Sequence, residues 1–202
     1  FKLHKYRSWY FRNHRRTLVI DNKIGFTGSM CVYEIMKNWR DTNVRLEGPV
    51  VKDMHRSFER MWNRANGKRL KKIKEEKYSD IEFKYVTNNP IPKHHRLYRH
   101  IIEAIKNSKK SIYITTPYFV PTRKLAHSLR KAAKRGINIS ILIPERSDHP
   151  LLDLAARTFF HSMLESGIKL FLYKGEMLHS KTIIIDDKWS SVGTLNMDNI
   201  SL

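Results

Sequence analysis

The stretch LHSKTIIIDDKWSSVGTLNMD, residues 178–198, decides the fold because the chain carries a second version of it, NHRRTLVIDNKIGFTGSMCVY, at residues 13–33. Shifting the chain by 165 positions, from His14 to His179, superposes the two stretches without a gap. The other identical pairs are Thr17 and Thr182, Ile20 and Ile185, Asp21 and Asp186, Lys23 and Lys188, and Gly28 and Gly193. A repeated unit of this kind predicts two similar halves that pack together.

Each copy predicts a β-hairpin. In the first copy, the branched apolar runs TLVID (17–21) and IGFTG (24–28) are separated by Asn22-Lys23, a typical turn. A histidine and a basic residue two positions later share one face of a strand. Such a pair suits a phosphate group, because the imidazole can attack or transfer a proton while the cation holds an oxygen. In the alternative interpretation, both histidines are polar ends of buried strands in a duplicated scaffold.

The rest of the chain predicts an α/β fold. NVRLEG (43–48) is a predicted strand, and a helix with one apolar face begins at Pro49. The charged segment 66–80 is predicted to be an exposed linker between a first half at 1–65 and a second half at 81–202. In the second half, predicted strands alternate with helices. The strands are 81–86, 111–121 (a strand that ends in a loop), 137–144 and 168–173, and the helices are 94–109, 122–136 and 149–167.

The amino-acid composition narrows the classes of molecule that the protein is expected to bind. The 202 residues include 39 Lys and Arg against 19 Asp and Glu, which gives a formal net charge of +20. This charge favours anionic partners: nucleic acid, anionic lipid or phosphorylated small molecules. The single Cys31 excludes an intramolecular disulfide and a multi-cysteine zinc cluster. The group His94, His95, His100 and Glu103 is better interpreted as a solvated basic face than as a metal site, so we predict no metal and no cofactor.

The paired motif resembles the phospholipase D superfamily. HSKTIIIDDKWSSVGTLNMDN, WRDTNVRLEGPVV and TPYFVP together resemble its bacterial cardiolipin synthase branch. This resemblance implies a pseudo-twofold pair of α/β halves, with mixed sheets flanked by helices and both motifs facing one metal-independent site. In that family one histidine forms a phosphohistidine, while the other protonates the leaving alcohol and then activates the acceptor.

The resemblance also implies roles for individual residues. We expect His14 to be the nucleophile and His179 the general acid and base, although the order of the two is left open. The remaining catalytic residues would be the motif cations Arg16 and Lys181 and the motif acids Asp21 and Asp186, and the substrate would be bound by Ser29, Thr194 and Asn196. Asp41 is the expected carboxylate behind His14, with Glu47 and Glu34 as substitutes.

Two predicted strand ends add candidates for the walls of the site. Tyr118 lies where a strand meets a loop, and Arg146 and Asp148 follow the next strand in the same way. The chain also departs from the family pattern. Arg16 stands where the family has lysine. Cys31 stands where the second copy has Asn196, and Ile200 stands where the cardiolipin synthase branch has arginine.

We therefore expect a phosphatidyltransferase that converts two phosphatidylglycerols to cardiolipin and glycerol. The expected partner is an anionic bacterial membrane, with no nucleic acid in this interpretation. The chain is expected to be the middle of a longer protein, truncated at both ends, which lies peripherally on the membrane and is anchored by a preceding segment. The alternatives are a phosphodiesterase that cleaves nucleic acid and a decayed lipid-binding module.

Overall fold

The computed structural model describes residues 14–67, 79–80, 82–87 and 96–198. The first half contains an antiparallel three-stranded sheet in the order β1-β2-β3. Its elements are β1 (Thr17–Ile20), β2 (Ile24–Gly28), a 3₁₀ turn (Glu34–Met36), β3 (Asn43–Glu47) and α1 (Val50–Ala65). Helix α1 packs against this sheet through the buried Val50, Val51 and Met54.

The second half contains a five-stranded mixed sheet in the order β7-β6-β4-β8-β9. Strands β4, β6 and β7 are parallel, whereas β8 is antiparallel to β4 and β9 is antiparallel to β8. A short strand β10 pairs in parallel with β5. The elements are α2 (Arg96–Asn107), β4 (Ser111–Thr115), β5 (Phe119–Val120), α3 (Arg123–Lys134), β6 (Asn138–Pro144), α4 (Pro150–Glu165), β7 (Lys169–Tyr173), β8 (Thr182–Ile185), β9 (Trp189–Val192) and β10 (Met197–Asp198).

The main hydrophobic core lies between this sheet and its helices. Alternate positions of the central strands point inward, because side chains along a strand alternate between its two faces. They meet the apolar faces of α2 and α3. The fully or almost fully buried residues of this core include Ile101, Ile105, Ile112, Ile114, Leu125, Leu129, Ile139, Ile141, Ile183 and Ile185. A mixed sheet covered by helices confirms the predicted α/β class.

The two predicted hairpins have the same geometry. Thr17 pairs with Thr27 in β1–β2, and Thr182 pairs with Val192 at the equivalent positions of β8–β9. Both turns place two consecutive residues at positive φ, namely Asp21 (50°), Asn22 (55°), Asp186 (56°) and Asp187 (57°). This is the backbone of a type I′ turn, which matches the twist of antiparallel strands and favours Asn and Asp. The sequence repeat is therefore a structural repeat.

The predicted strand 81–86 is wrong over its described residues, 82–86, which are irregular. The backbone N–H groups of Glu82 and Phe83 donate to Oδ1 of Asp80, at 2.9 and 3.2 Å. An aspartate that binds the following amides in this way competes with strand pairing. At 111–121 the predicted strand is β4, and the loop predicted after it contains the segment around Pro117 and the short strand β5. Most of the predicted linker, including residues 68–78, lies outside the described residues.

The two halves meet beside the second motif. The backbone of Arg40 pairs in parallel with that of Leu178. The Arg40 N–H donates to the Met177 carbonyl at 2.8 Å, and the Arg40 carbonyl accepts from the N–H groups of His179 and Ser180 at 2.9 and 3.0 Å. These bonds fix the segment before β3 against the segment before β8. Over the described parts of the chain, no helix combines the length and apolarity needed to cross a bilayer.

Candidate active site

The centre of the site is a contact between an imidazole and a carboxylate. Nδ1 of His179 lies 3.0 Å from Oδ1 of Asp41 and 3.3 Å from Oδ2. Both side chains are only 8% exposed, and the ring of Trp39 lies 5.2 Å from the imidazole, centroid to centroid. A charged carboxylate fixes the proton on Nδ1, so the neutral ring presents Nε2 as its proton acceptor.

Asp41 is itself held in place from the first hairpin. The hydroxyl of the fully buried Ser29 donates to Oδ1 of Asp41 at 2.5 Å, and the Ser29 N–H donates to the Thr42 carbonyl at 3.1 Å. Burial raises the pKa of Asp41, but the hydrogen bonds from His179 and Ser29 outweigh it and hold the pKa below its ordinary value. Asp41 is therefore a carboxylate at neutral pH.

The prediction that Asp41 supports His14 needs a correction, because the carboxylate faces the histidine of the other half. The backbone bridge between the halves carries Asp41 across to His179, a relationship that spacing along the chain does not encode. Ser29, predicted to bind the substrate, instead directs its hydroxyl to Asp41. The proposed substitutes for Asp41 have other partners, since Glu34 pairs with Lys37 at 2.9 Å and Glu47 pairs with Arg45.

Lys181 supplies a buried cationic group beside the histidine. Its side chain is 6% exposed, and Nζ donates to the carbonyl oxygen of His179 at 2.6 Å. Burial lowers the pKa of Lys181 to about 7; the negative charge of Asp41 opposes this shift and the positive charge of Arg16 adds to it. The ammonium group therefore titrates near neutral pH.

Arg16, the cation of the first motif, belongs to the same site. Its charge depresses the pKa of Lys181, and its Nε donates to Sγ of Cys31 at 2.9 Å. In the second copy Asn196 occupies the place of Cys31. The Oδ1 atom of Asn196 is buried and has no hydrogen-bond partner among the residues that the structure describes. The structure thus brings the two predicted phosphate-binding cations into one electrostatic environment.

The two motif acids do not join the histidine. Asp186 lies in the hairpin turn, at the opposite end of β8 from Lys181, and its carboxylate accepts from the N–H groups of Lys109, Lys110 and Ser111 at 2.7, 2.7 and 2.9 Å. The hydrogen bond from Ser111 is the main reason that the pKa of Asp186 is lowered. Asp21 lies in the equivalent turn of the first hairpin. The geometry gives Asp186 a role in fastening the hairpin to the start of β4, in place of the catalytic role expected from the motif.

The other predicted residues are distributed around the site. Tyr118 is buried and its hydroxyl donates to Oδ1 of Asp148 at 2.5 Å, whereas Arg146 is exposed on the same loop as Asp148. Thr194 is half-buried, and His14 is exposed at the start of the described chain. The predicted residues His94, His95 and Ile200 lie outside the described residues. Trp39, whose ring lies beside that of His179, was not among the residues predicted for the site; its position two residues before Asp41 was the available signal.

With this geometry established, comparison with known proteins identifies the family. The family model "Cardiolipin synthase, PLD-like domain" matches residues 101–202, which include Lys181, Tyr118 and the second hairpin. The chain therefore belongs to the phospholipase D superfamily, in its cardiolipin synthase branch.

Curated relatives extend the likeness across the chain. Cardiolipin synthase A of Edwardsiella ictaluri is 32% identical over 95% of this chain and 42% of its own length. The probable cardiolipin synthase YwiE of Bacillus subtilis is 36% identical over 93% of this chain and 40% of its own length. The chain thus spans less than half the length of these relatives. Among solved structures, Nuc from Salmonella typhimurium, a phospholipase D family member, is 26% identical with a TM-score of 0.46, over 55% of this chain and 70% of that one.

Proposed function

We propose that the protein containing this chain transfers a phosphatidyl group from one phosphatidylglycerol to another, giving cardiolipin and glycerol. The observation that carries the proposal is the buried contact between Asp41 and His179, with Lys181 beside it. An imidazole supported by a carboxylate can exchange protons with an alcohol, and a neighbouring cation can hold a phosphate oxygen. The names of the curated relatives support a lipid substrate for this chemistry.

In the first step, His14 attacks phosphorus and the phosphorus–oxygen bond to the leaving glycerol breaks. Protonated His179 gives its Nε2 proton to the departing oxygen, so glycerol leaves as a neutral alcohol and a phosphohistidine remains. Asp41 favours the protonated imidazole through its negative charge at Nδ1. Arg16 and Lys181 offset the charge on the nonbridging oxygens.

In the second step, the hydroxyl of another phosphatidylglycerol attacks the phosphohistidine. The now neutral His179 takes the proton of that hydroxyl at Nε2, the bond between phosphorus and His14 breaks, and cardiolipin is released. His179 ends protonated, ready for the next cycle. The buried carboxylate behind His179 supports its assignment as acid and base, because a group that gains and loses a proton benefits most from a fixed counter-charge.

We place this reaction at the surface of an anionic bacterial membrane. The net charge of +20 favours such a surface, and each Lys or Arg close to it adds about 1 kcal/mol of attraction. The same charge would attract DNA, so the experiment must separate the two substrates.

The test uses the longer protein, purified and incubated with phosphatidylglycerol vesicles or with plasmid DNA. We expect cardiolipin and glycerol from the vesicles, no DNA cleavage, and loss of product in His14→Ala and His179→Ala. His161→Ala is a matched control, because His161 is an exposed histidine on α4 that pairs with Glu165. Quenching with denaturant at mildly alkaline pH, where the nitrogen–phosphorus bond of a phosphohistidine survives, should trap the phosphatidyl group on His14. DNA cleavage without lipid turnover would replace the proposal with a nuclease, and lipid binding without product would leave a binding module.

A further inference from the structure

Three side chains next to the site form a cluster that the proposed reaction has not used. The hydroxyl of Tyr118 donates to Oδ1 of Asp148 at 2.5 Å, and the rings of Tyr118 and His149 lie 5.4 Å apart. Oδ2 of Asp148 lies 3.7 Å from Nε2 of His149, which is beyond hydrogen-bond distance. The side chains of Asp148 and His149 are 37% and 58% exposed, so a ligand can reach both.

The sheet places this cluster at the same edge as Lys181. Strand β4 ends at Thr115, which pairs with Thr182 at the start of antiparallel β8, directly after Lys181. Strand β6 is parallel to β4 and ends at Pro144, so the loop that carries Asp148 leaves from this edge. The chain after β4 reaches Tyr118 within three residues. Asp148 is also close enough to Lys181 to act on it electrostatically. Its negative charge raises the pKa of Lys181, although burial has the larger effect and lowers that pKa.

A carboxylate is a poor partner for the phosphate that Lys181 and Arg16 attract. Asp148 repels a second anion, and the buried Tyr118 hydroxyl keeps its proton because burial and the bond to Asp148 raise its pKa. The cluster therefore offers a fixed hydrogen-bond acceptor at Oδ2 and an imidazole opposite it. A neutral hydroxyl group, which both donates and accepts, can bridge these two atoms from their exposed side, because its oxygen can lie about 2.8 Å from each of two atoms that are 3.7 Å apart.

We propose that Asp148 and His149, with Asp148 held by Tyr118, form a subsite that binds a second hydroxyl of the acceptor alcohol. The inference rests on the proposed phosphatidyl transfer. In an acceptor with neighbouring hydroxyls, one oxygen attacks phosphorus while the other donates to Oδ2 of Asp148 and accepts from His149. The subsite thus selects polyols, such as the glycerol head group, over simple alcohols and water, and orients the attacking oxygen.

In the test, the longer protein that contains this chain is incubated with phosphatidylglycerol vesicles and two added acceptors. These acceptors, 1,2-propanediol and 1-propanol, differ by one hydroxyl group. The measured quantity is the ratio of the two phosphatidyl alcohol products at equal acceptor concentration. We expect the wild type to favour the diol and Asp148→Ala to reduce that ratio roughly tenfold or more, because a hydrogen bond to a charged acceptor is lost. The ratio is the readout because the loss of the Asp148 charge also acts on the pKa of Lys181, and that effect should change transfer to both acceptors alike.

Two further variants keep the result interpretable. Asp148→Asn retains the shape of the side chain and removes its charge, so it should reduce the ratio while preserving the melting temperature. Glu145→Gln is the control, because Glu145 is an exposed acid on the same loop. A wild type without diol preference, an unchanged ratio in the Asp148 variants, or an equal loss of both products would overturn the subsite while leaving phosphatidyl transfer intact. A wild type that makes no phosphatidyl product would remove both proposals.

Discussion

The carboxylate of Asp41, in the first half of the chain, lies 3.0 Å from Nδ1 of His179, in the second. The contact crosses the junction where the Arg40 backbone pairs with Leu178, so each half contributes to the support of one imidazole. Ser29, at the end of the first hairpin, extends this support by donating to the same carboxylate oxygen. The contact between Asp41 and His179 thus depends on docking of the two halves.

Replacing Asp41 by Asn should reduce phosphatidyl transfer by roughly 10²- to 10⁴-fold, because the amide no longer stabilises the protonated imidazole or fixes the proton on Nδ1. The rate of cardiolipin formation gives the loss, and nitrogen NMR of His179 reports the change of tautomer. Glu47→Gln removes an exposed acid from β3 and should leave the rate unchanged. A rate in Asp41→Asn within threefold of the wild type would contradict a catalytic role for the contact.

Lys181 should make the binding of phosphate depend on pH near neutrality. Its pKa is about 7 in the unliganded protein, so the proportion of the charged form falls above that pH. If the charged form binds, the affinity for a phosphodiester head group should fall by about tenfold per pH unit above pH 7. Lys181→Met should abolish this dependence, whereas Lys188→Met, at an exposed turn, should retain it. Equal pH profiles for wild type and Lys181→Met would contradict the assignment.

The same lowered pKa predicts the pH dependence of stability. Between about pH 7 and pH 10.5, the unfolded chain holds the Lys181 proton that the folded chain releases. The contribution of Lys181 to the free energy of unfolding should therefore rise with pH across this window, by at most about 1.4 kcal/mol per unit. Urea denaturation of the wild type and Lys181→Met at several pH values isolates the contribution as a difference. A difference that is constant or falls with pH would show that the folded pKa is not lowered.

Asp186 should matter for stability more than for chemistry. Asp186→Ala leaves the N–H groups of Lys109, Lys110 and Ser111 without their acceptor, which should cost about 1–3 kcal/mol of unfolding free energy. Below the melting temperature, the turnover rate should remain within a few fold of the wild type. Asp187→Ala is the control, because Asp187 has the same positive φ as Asp186, whereas the contact of its carboxylate among the described residues is an exposed ion pair with Lys110. Loss of turnover in folded Asp186→Ala would restore the catalytic role that the motif suggests.

The repeat supplies a matched pair of glycines. A methyl group on Gly28 would overlap the Thr42 carbonyl and the side-chain amide of Asn43, whereas the space around Gly193, its counterpart, is open. Gly28→Ala should therefore destabilise the protein by about 1–3 kcal/mol and disturb the adjacent Ser29. Gly193→Ala should leave the melting temperature within a few degrees of the wild type. Similar melting temperatures for both variants would contradict the close approach of β2 to the segment before β3.

The sequence by itself determined the repeated hairpins and most of the helices and strands. Short-range physics suffices for these features, because branched apolar runs, Asn and Asp at turns and helical spacing act within a few residues. The sequence also singled out His179, Lys181 and Arg16, whose action on a phosphate group stays a prediction. It missed the irregular segment after Asp80, where a local side-chain hydrogen bond competes with strand pairing.

Only the tertiary structure decided which side chain contacts and supports which other side chain or backbone group. It turned Asp41 and Ser29 toward His179, fastened Asp186 to backbone amides, and joined Tyr118 to Asp148. All of these contacts connect residues that are remote in sequence, and all depend on how strands align and how the halves dock. A side chain's charge and hydrogen-bonding capacity are fixed by its type, but its partner is fixed by the fold.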